Sequence, residues 1–316
     1  MDTDSVLEGY DLNYLTTGDT IQVRQCRSCR IGFTLPTLSP SALPRLYPSS
    51  YHAWTVQGGV PGRFKGHLAT IFNLASGNSP YCELFFPSVL SIARYGVPGR
   101  VLEVGCGTGE LLSAFQRSGW EACGIEPNLG AARLARERGL TVDNASLETI
   151  DLPMSRFNAI ILHHALEHLS EVDRAVSKLA AALRPGGRLY VGVPDFDSKW
   201  MDFFGSSWSL LDLPRHRFHF DRDSLKGVVE SHNLTTVEVT GMVSIDSVLE
   251  SLLNLRTRRL LSLGADHATL DNLPRARSFA KQILGPLLTA IFARPLRLLS
   301  SRSATSLALI AERQSG

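Results

Sequence analysis

The sequence predicts an α/β fold in which a parallel β-sheet carries helices on both faces. Short apolar runs alternate with amphipathic segments from Arg100 onward, which is typical of repeated strand–helix units. A glycine-rich loop joins the first strand to the first helix, and polar residues follow the strands where they end. These observations place a ligand site at one edge of the sheet.

Each element of this sheet can be assigned to a stretch of sequence. The predicted strands are VLEVG, EACGIE, LTVDN, FNAIILH and RLYVGVP. The predicted helices are ELLSAFQRSG, NLGAARLARERG and a longer one through EVDRAVSKLAAALRPGG. Beyond them we expect an irregular aromatic segment at 196–220, a helix near DRDSLKGVVESHN, the strand TTVEVTG, helical stretches at about 245–262 and 276–299, and a last strand in SLALIAE.

The chain is expected to divide near residue 79. Residues 1–79 are rich in Pro, Ser, Gly and Tyr and show little periodicity, so a small irregular segment is predicted there. A helix is expected from near Pro80 through CELFFPSVLSIARYG. The main domain is therefore expected to cover residues 80–316, with a helical insertion at about 245–300.

Composition and charge exclude several classes of protein. With 316 residues, 44% of them hydrophobic and 20% charged, the chain has the composition of an ordinary globular protein. A net charge of +2 is too small to indicate nucleic acid as a partner. Five cysteines without disulfide-like spacing indicate a reducing compartment, and the acidic start of the chain is unlike a signal peptide. A cytoplasmic location is expected.

The glycine loop has the spelling Glu103-Val-Gly-Cys-Gly-Thr-Gly109. Glycines there let the backbone turn sharply and let a ligand lie against it. An acidic residue at the strand end would repel a phosphate, so the loop suits a ligand with a cationic amino-acid end. Glu126 ends the next strand, where a carboxylate can accept both hydroxyls of a ribose.

Taken together, VLEVGCGTGELL, GIEPN, FNAIILHHALEHL and LRPGGRLYVGVP resemble the class I S-adenosylmethionine-dependent methyltransferases over roughly residues 80–240, and residues 305–312 suit the last strand of that fold. The resemblance implies a Rossmann-like sheet of seven strands whose last pair is antiparallel. It also implies that S-adenosylmethionine is the cofactor. The cofactor-binding residues implied are Glu103, Gly105, Cys106, Gly107, Thr108, Gly109, Glu126, Pro127, Ser146, Leu147 and His163, with the adenine near Ser146 and Leu147.

The stretch HHALEHL contains His164-x-x-Glu167-His168, a pattern with which one class of zinc peptidases holds its metal. Such a metal site needs one long helix, whereas His164 is predicted to follow a strand directly, so the match is interpreted as accidental. His163 is expected beside the cofactor, and His164 or His168 is expected to face the acceptor, where a neutral imidazole can take a proton. Alternatively, these histidines only cap the strand and pack against Glu167.

A second candidate site is the segment SSWSLLDLPRHRFHFDRDSL, in which polar and aromatic residues alternate. His216 and His219 are candidates for a wall or lid against the acceptor. The alternative is a surface loop whose aromatic residues fill a gap before the next helix. A similar LDxPRHxxHF segment occurs in a group of these methyltransferases that also carry an N-terminal cysteine ribbon.

The pair Cys26 and Cys29 would supply half of a four-cysteine zinc ribbon. The relatives normally carry a second CxxC upstream, and none precedes Cys26 here. The ribbon is therefore interpreted as a remnant, or as evidence that the chain begins after its true first half. No bound metal is expected.

The C-terminal region is basic and amphipathic. Arg275 to Arg302 contains six basic residues and no acidic one, and residues 278–299 carry an apolar stripe at helical spacing. The segment 276–300 is expected to pack on the domain as a cap. The alternative is a peripheral contact with an anionic membrane surface.

These features predict a methyltransferase that modifies a small molecule or a glycan or lipid-linked acceptor, by O-methylation. Nucleic acid is not expected as the acceptor, because no extended basic and aromatic surface accompanies the sheet edge. Two other classes are weighed. A non-catalytic module could keep the cofactor fold as an interaction platform, and a NAD-dependent oxidoreductase is disfavoured by the GxGxG spacing and the histidines.

Overall fold

A computed structural model describes residues 2–37, 43–48, 51, 89, 92, 97–264 and 303–314. The chain forms two compact units, and neither is continuous in sequence. The first unit comprises residues 1–48, 193–225 and 241–307, and the second comprises residues 49–192, 226–240 and 308–316. The boundary expected at residue 79 lies outside the described residues.

The described strands and helices are numbered in chain order. The strands are β1 (Thr3–Gly9), β2 (Ile21–Cys26), β3 (Gly32–Leu35), β4 (Arg100–Val104), β5 (Glu121–Ile125), β6 (Thr141–Asp143), β7 (Phe157–His163), β8 (Leu183–Pro194), β9 (Phe218–His219), β10 (Leu234–Met242) and β11 (Ser306–Arg313). The helices are α1 (Glu110–Arg117), α2 (Leu129–Glu137), α3 (Val172–Ala182), α4 (Lys199–Phe204), α5 (Arg222–Glu230) and α6 (Ile245–Ser262).

The second unit is built on a seven-stranded sheet with the order β10-β11-β8-β7-β4-β5-β6. Strands β8, β10 and β11 each have two residues at one end that belong to the first unit. Strands β4 to β8 pair in parallel, with Val101 opposite Ala159 in the centre. Residues 159–162 of β7 are completely buried, as expected for a central parallel strand covered on both faces. The predicted Rossmann-like α/β fold is confirmed.

One element boundary differs from the prediction. The helix expected to run through LRPGG ends at Ala182, and β8 begins at Leu183, which lies opposite Phe157. Pro185 lacks the backbone N–H that a helix needs, and Gly186 has a left-handed φ of 70°. This stretch therefore extends the strand instead of the helix.

The first unit contains a second sheet of four strands, ordered β1-β2-β3-β9 and paired antiparallel. Residues 3–35 thus supply three strands where the sequence analysis expects an irregular segment. The apolar pattern there is short, since Ile21 and Val23 are the only fully buried apolar residues of β2. Part of the pairing comes from Phe218 and His219, far away in sequence, which local periodicity does not reveal.

Two predicted helices concern residues that are not described. The helix expected at 276–299 lies outside the described residues, and of the helix expected near 80–96 only Val89 and Ile92 are described, both helical. The helix predicted at about 245–262 is confirmed as α6. Among the described helices, none combines the length and the apolar character needed to cross a bilayer.

Candidate cofactor site and histidine pair

The loop between β4 and α1 depends on glycine. Gly105, Gly107 and Gly109 have φ values of 72°, 53° and 84°, a left-handed conformation that side chains disfavour. A Cβ on Gly109 would lie 2.2 Å from Leu140 Cδ1, and a Cβ on Gly105 would lie 3.1 Å from Ala165 Cβ. The loop therefore keeps a bare backbone at the end of β4.

Glu126 is held rigidly at the end of β5. Its carboxylate is buried, with Oε2 accepting the Gly107 N–H at 2.9 Å and Oε1 accepting the Asn128 N–H at 2.8 Å. Burial raises the pKa of Glu126, and the two backbone N–H groups partly offset that rise. A carboxylate offers about four acceptor positions, so two remain for a pair of hydroxyl groups.

Glu103 lies within β4 and is buried, and no cation in the described part of the chain pairs with it. Only 6% of its surface is exposed, and no described group donates a hydrogen bond to its Oε2 atom. Desolvation, followed by repulsion from Glu110, raises the pKa of Glu103 well above its usual range. A buried acid of this kind is costly on its own and suits a ligand that brings a positive charge.

The other loop residues line or brace this region. Cys106 is buried, and burial followed by the charge of Glu103 raises the pKa of its thiol. Thr108 is buried and donates its hydroxyl to the Glu110 carboxylate at 2.7 Å. Arg138 donates to the Thr108 carbonyl at 2.7 Å and to Glu110 at 2.8 Å, which fixes the start of α1.

The residues expected near the ribose and adenine follow β5 and β6. Pro127 is exposed, and its carbonyl accepts the Asn144 side-chain amide at 2.9 Å. Ser146 lies 3.1 Å from Thr149, hydroxyl to hydroxyl, at the start of a turn. Leu147 is buried beside it and presents an apolar side chain.

His164 sits in a strained position at the end of β7. Its φ is 52°, in the left-handed region, and its N–H donates to the Gly192 carbonyl at 2.8 Å. Its Nδ1 lies 3.1 Å from Oε1 of Glu167, which is completely buried. An ionised carboxylate can only accept, so an ionised Glu167 would place a proton on Nδ1, and a neutral His164 ring would then present its lone pair at Nε2. The contact with Glu167 fixes the orientation of the His164 ring.

His163, the last residue of β7, packs edge-to-face on His164 with the ring centres 4.8 Å apart. Its Nδ1 lies 3.3 Å from the hydroxyl of Tyr190, on the neighbouring strand β8. Desolvation, followed by the charge of His164, lowers the pKa of His163 well below its usual range. The His163 ring is therefore neutral at physiological pH.

The pattern His164-x-x-Glu167-His168 does not lie on one helix in the structure. His164 follows directly from β7, and residues 166–168 form a single 3₁₀ turn instead of a long helix. The backbone N–H of His168 donates to the Ala165 carbonyl at 3.3 Å, and its side chain is half-buried in this turn. The three motif residues thus do not share the single helix that the peptidase site requires.

His216 and His219 belong to the first unit and lie in its interior. His216 is 5% exposed, with Nδ1 2.9 Å from the Leu210 carbonyl. His219 is 4% exposed, with Nε2 2.9 Å from the Thr34 hydroxyl, and its ring stacks on Phe196. Both rings are engaged in holding the first unit together. Their role against an acceptor, expected from the sequence, stays a prediction.

The LDLPRH segment is anchored by Arg215, which is completely buried. Its guanidinium donates to both carboxylate oxygens of Asp11 at 2.6 and 3.1 Å, to Asp212 Oδ1 at 3.0 Å, and lies over the Tyr14 ring. Burial alone would raise the pKa of Asp212, but Arg215 and then His216 lower it below its usual range. This network fastens the segment to the N-terminal strands.

Two contributors to the site were missed by sequence reasoning. Glu167 was considered as part of the zinc-peptidase pattern and as a packing residue, although its place three residues after His164 could have indicated the pair. Tyr190 gave no local signal, because its contact with His163 follows from the parallel register of β7 and β8. Both residues act through a histidine that the sequence did identify.

Comparisons with known proteins agree with this architecture. A family model described as a methyltransferase domain matches residues 84–239. The ubiquinone biosynthesis O-methyltransferase of Bradyrhizobium diazoefficiens is 30% identical over 176 residues, which cover 51% of this chain and 68% of that protein. The enzyme of the same name from Bradyrhizobium sp. (strain ORS 278) is 30% identical over 158 residues, 46% of this chain and 61% of that protein. The chain thus spans less than two thirds of the latter relative's length.

Solved structures are similar at lower identity. An S-adenosylmethionine-dependent methyltransferase from Mesorhizobium loti is 16% identical, with a TM-score of 0.47 over 71% of this chain and 96% of that one. A methyltransferase from Archaeoglobus fulgidus is also 16% identical, with a TM-score of 0.46 over 74% of this chain and 98% of that one. On the family match, the sequence relatives and the sheet topology, the chain belongs to the class I S-adenosylmethionine-dependent methyltransferases.

Proposed function

We propose that this protein transfers a methyl group from S-adenosylmethionine to a hydroxyl of a small molecule or of a glycan or lipid-linked acceptor. The observation that carries the proposal is the pairing of two features in the second unit. One is a buried carboxylate, Glu103, beside a glycine loop, and the other is an oriented imidazole, His164, at the end of β7.

The residues at the glycine loop fit this cofactor. Glu103 would bind its ammonium group and regain a counter-charge, and Glu126 would accept the ribose hydroxyls with its remaining lone pairs. Gly105 leaves room where a side chain would meet Ala165. His163 would add no positive charge next to a sulfonium, because its ring is neutral.

S-adenosylmethionine supplies an electrophilic methyl group on a positively charged sulfur. The protein's part is to align the acceptor and to exclude water. His164 would accept the acceptor's hydroxyl proton at Nε2 as the oxygen attacks, and Glu167 would stabilise the resulting imidazolium. Hydroxyl acceptors gain most from such a base, and the two relatives are named as O-methyltransferases.

The base is tested with His164→Ala and Glu167→Gln, assayed with methyl-labelled S-adenosylmethionine and a lipid extract as the source of acceptor. The wild type should transfer label to an extracted compound, and His164→Ala should lower the rate by about 10²–10⁴-fold. Calorimetric affinity for S-adenosylmethionine should stay unchanged in both variants. The label should survive mild alkali if it is an ether and be lost if it is an ester.

Three results would contradict the proposal. Cofactor binding without any labelled product from any extract would favour a non-catalytic module that keeps the fold. Binding of NAD in place of S-adenosylmethionine would mean that the glycine loop serves a dinucleotide. A Gly105→Arg variant that binds S-adenosylmethionine as tightly as the wild type would place the cofactor elsewhere.

A further inference from the structure

Helix α6 of the first unit carries its polar side inward. Four small polar residues on it are 3% exposed or less: Ser247, Ser251, Asn254 and Thr257. The Ser251 hydroxyl accepts the Ser209 N–H at 2.9 Å, and the Asn254 amide donates to Asn13 at 2.9 Å. Hydrogen bonds, more than apolar contacts, therefore fasten this side of the helix to its own unit.

The outward side of α6 is apolar and basic. Leu252 and Leu255 are 50% and 39% exposed, and Leu263, directly after the helix, is 73% exposed. Arg256 and Arg259 are exposed between them. The spacing i, i+3, i+4, i+7 and i+11 places these five residues on one face. An ordinary surface helix has the opposite polarity, with its leucines inward.

The charge of the outward face of α6 indicates what kind of partner surface it can bind. The five residues of the face include two arginines and no acidic residue. The acidic residues of the helix, Asp246 and Glu250, lie about 120° and 160° around the axis from Leu252. An apolar strip with arginines and without acids complements a layer of phosphate groups over hydrocarbon.

The sequence that follows α6 has the same chemistry. From Arg275 to Arg302 it contains six basic residues and no acidic one, with apolar residues at helical spacing. Residues 264–274, which include Asp266 and Asp271, separate this stretch from Leu263. The exposed face of the helix and the chain that continues it therefore favour the same anionic, apolar partner.

We propose that the outward face of α6 docks on the surface of an anionic lipid bilayer. Leu252, Leu255 and Leu263 would enter the boundary between headgroups and acyl chains, and Arg256 and Arg259 would contact lipid phosphates. Docking would bring the enzyme to an acceptor carried in the membrane, a consequence that rests on the proposed function. The docking itself does not depend on methyl transfer.

The test is flotation of the full chain with vesicles of phosphatidylcholine alone or mixed with phosphatidylglycerol. The wild type should float with the mixed vesicles only. Arg256→Gln/Arg259→Gln should weaken that binding by about thirty-fold, because each arginine adds to the attraction of an anionic surface. Leu252→Gln/Leu255→Gln should weaken it at least tenfold, since the leucines supply the buried apolar area.

Matched controls change exposed residues on the second unit. Arg133→Gln/Arg174→Gln removes two arginines whose side chains are 72% and 78% exposed, and Met154→Gln/Val237→Gln removes two exposed apolar side chains. Both controls should float like the wild type. Calorimetry with S-adenosylmethionine should give the wild-type affinity for every variant, which separates this test from the cofactor proposal.

The docking proposal is overturned if the wild type ignores anionic vesicles, or if both α6 variants float as well as the wild type. It is also overturned if the wild type is a dimer that the leucine variant dissociates, with no vesicle binding by either. In that case the occupant of the face is a second copy of the chain.

Discussion

The buried carboxylates of the two units differ in what surrounds them. In the first unit, Asp11 and Asp212 share the guanidinium of Arg215, and the pKa of Asp212 is lowered. In the second unit, Glu103 and Glu126 are similarly buried but have no cationic partner among the described residues, and the pKa values of both are raised. In the first arrangement the protein itself supplies the cation, whereas in the second a ligand that brings hydroxyls and a positive charge would supply the missing partners.

This difference separates structural acids from ligand-binding acids without reference to any motif. An acid that is neutralised by its own chain contributes to folding, and its removal should cost stability. An acid that is buried without a cation destabilises the ligand-free protein, and its removal should cost binding. The predictions below are arranged from the largest expected effect to the smallest.

Removing Arg215, the cation that Asp11 and Asp212 share, should lower the stability of the protein more than the other changes do. Arg215→Leu leaves Asp11 and Asp212 buried and uncompensated, and we expect the free energy of unfolding to fall by about 3–5 kcal/mol. Urea denaturation followed by circular dichroism measures this loss. As a control, Arg27→Leu removes an arginine whose side chain is 55% exposed and which pairs with exposed Asp2 and Asp4, and its denaturation midpoint should not move. Equal denaturation midpoints for the two variants would contradict the structural role of Asp11 and Asp212.

Glu103→Gln should have the opposite effect on stability. A neutral amide in that buried position avoids the desolvation of a carboxylate, so at pH 8 the ligand-free variant should be more stable than the wild type by about 1–3 kcal/mol. Thermal denaturation without cofactor is the measurement. Glu121→Gln, at a side chain that is 67% exposed, serves as the control and should leave stability unchanged. A destabilised Glu103→Gln variant would show that Glu103 supports the fold.

The contributions of Glu103 and Asp212 to stability should also depend on pH in opposite directions. The raised pKa of Glu103 means that the folded protein holds a proton which the unfolded chain has lost, so its contribution to stability falls as pH rises above the ordinary glutamate range. The lowered pKa of Asp212 has the reverse effect, since its stabilisation is present above the ordinary aspartate range and is lost in acid. Unfolding free energies measured from pH 2 to 8 should therefore pass through a maximum. Glu103→Gln should flatten the high-pH side only, and a profile identical to that of the wild type would contradict this assignment.

The second unit was largely predictable because its signals are local. The glycine loop, Glu126 and the strand that ends in two histidines each occupy a continuous stretch, and the parallel sheet aligns them. The helix boundary at Ala182 was missed because apolar and small residues continue to Leu183, and only Pro185 and the pairing with Phe157 end the helix.

The first unit was not predictable in the same way. Its strand β3 pairs with Phe218 and His219, more than 180 positions away, and Arg215 contacts Asp11 across a separation of 204 residues. Such contacts leave no periodic trace in the sequence. The contact of His219 with Thr34 was not predictable for the same reason, because the two residues lie 185 positions apart.

The central claim is that Glu103 binds the positive charge of a ligand. Calorimetric titration with S-adenosylmethionine tests this claim most directly. The wild type should bind with release of protons, seen as a dependence of the heat on the buffer's ionisation enthalpy, because the ligand ionises Glu103. Glu103→Gln should bind about ten- to hundred-fold more weakly and release fewer protons. Equal affinity and equal proton release in the two proteins would contradict the claim.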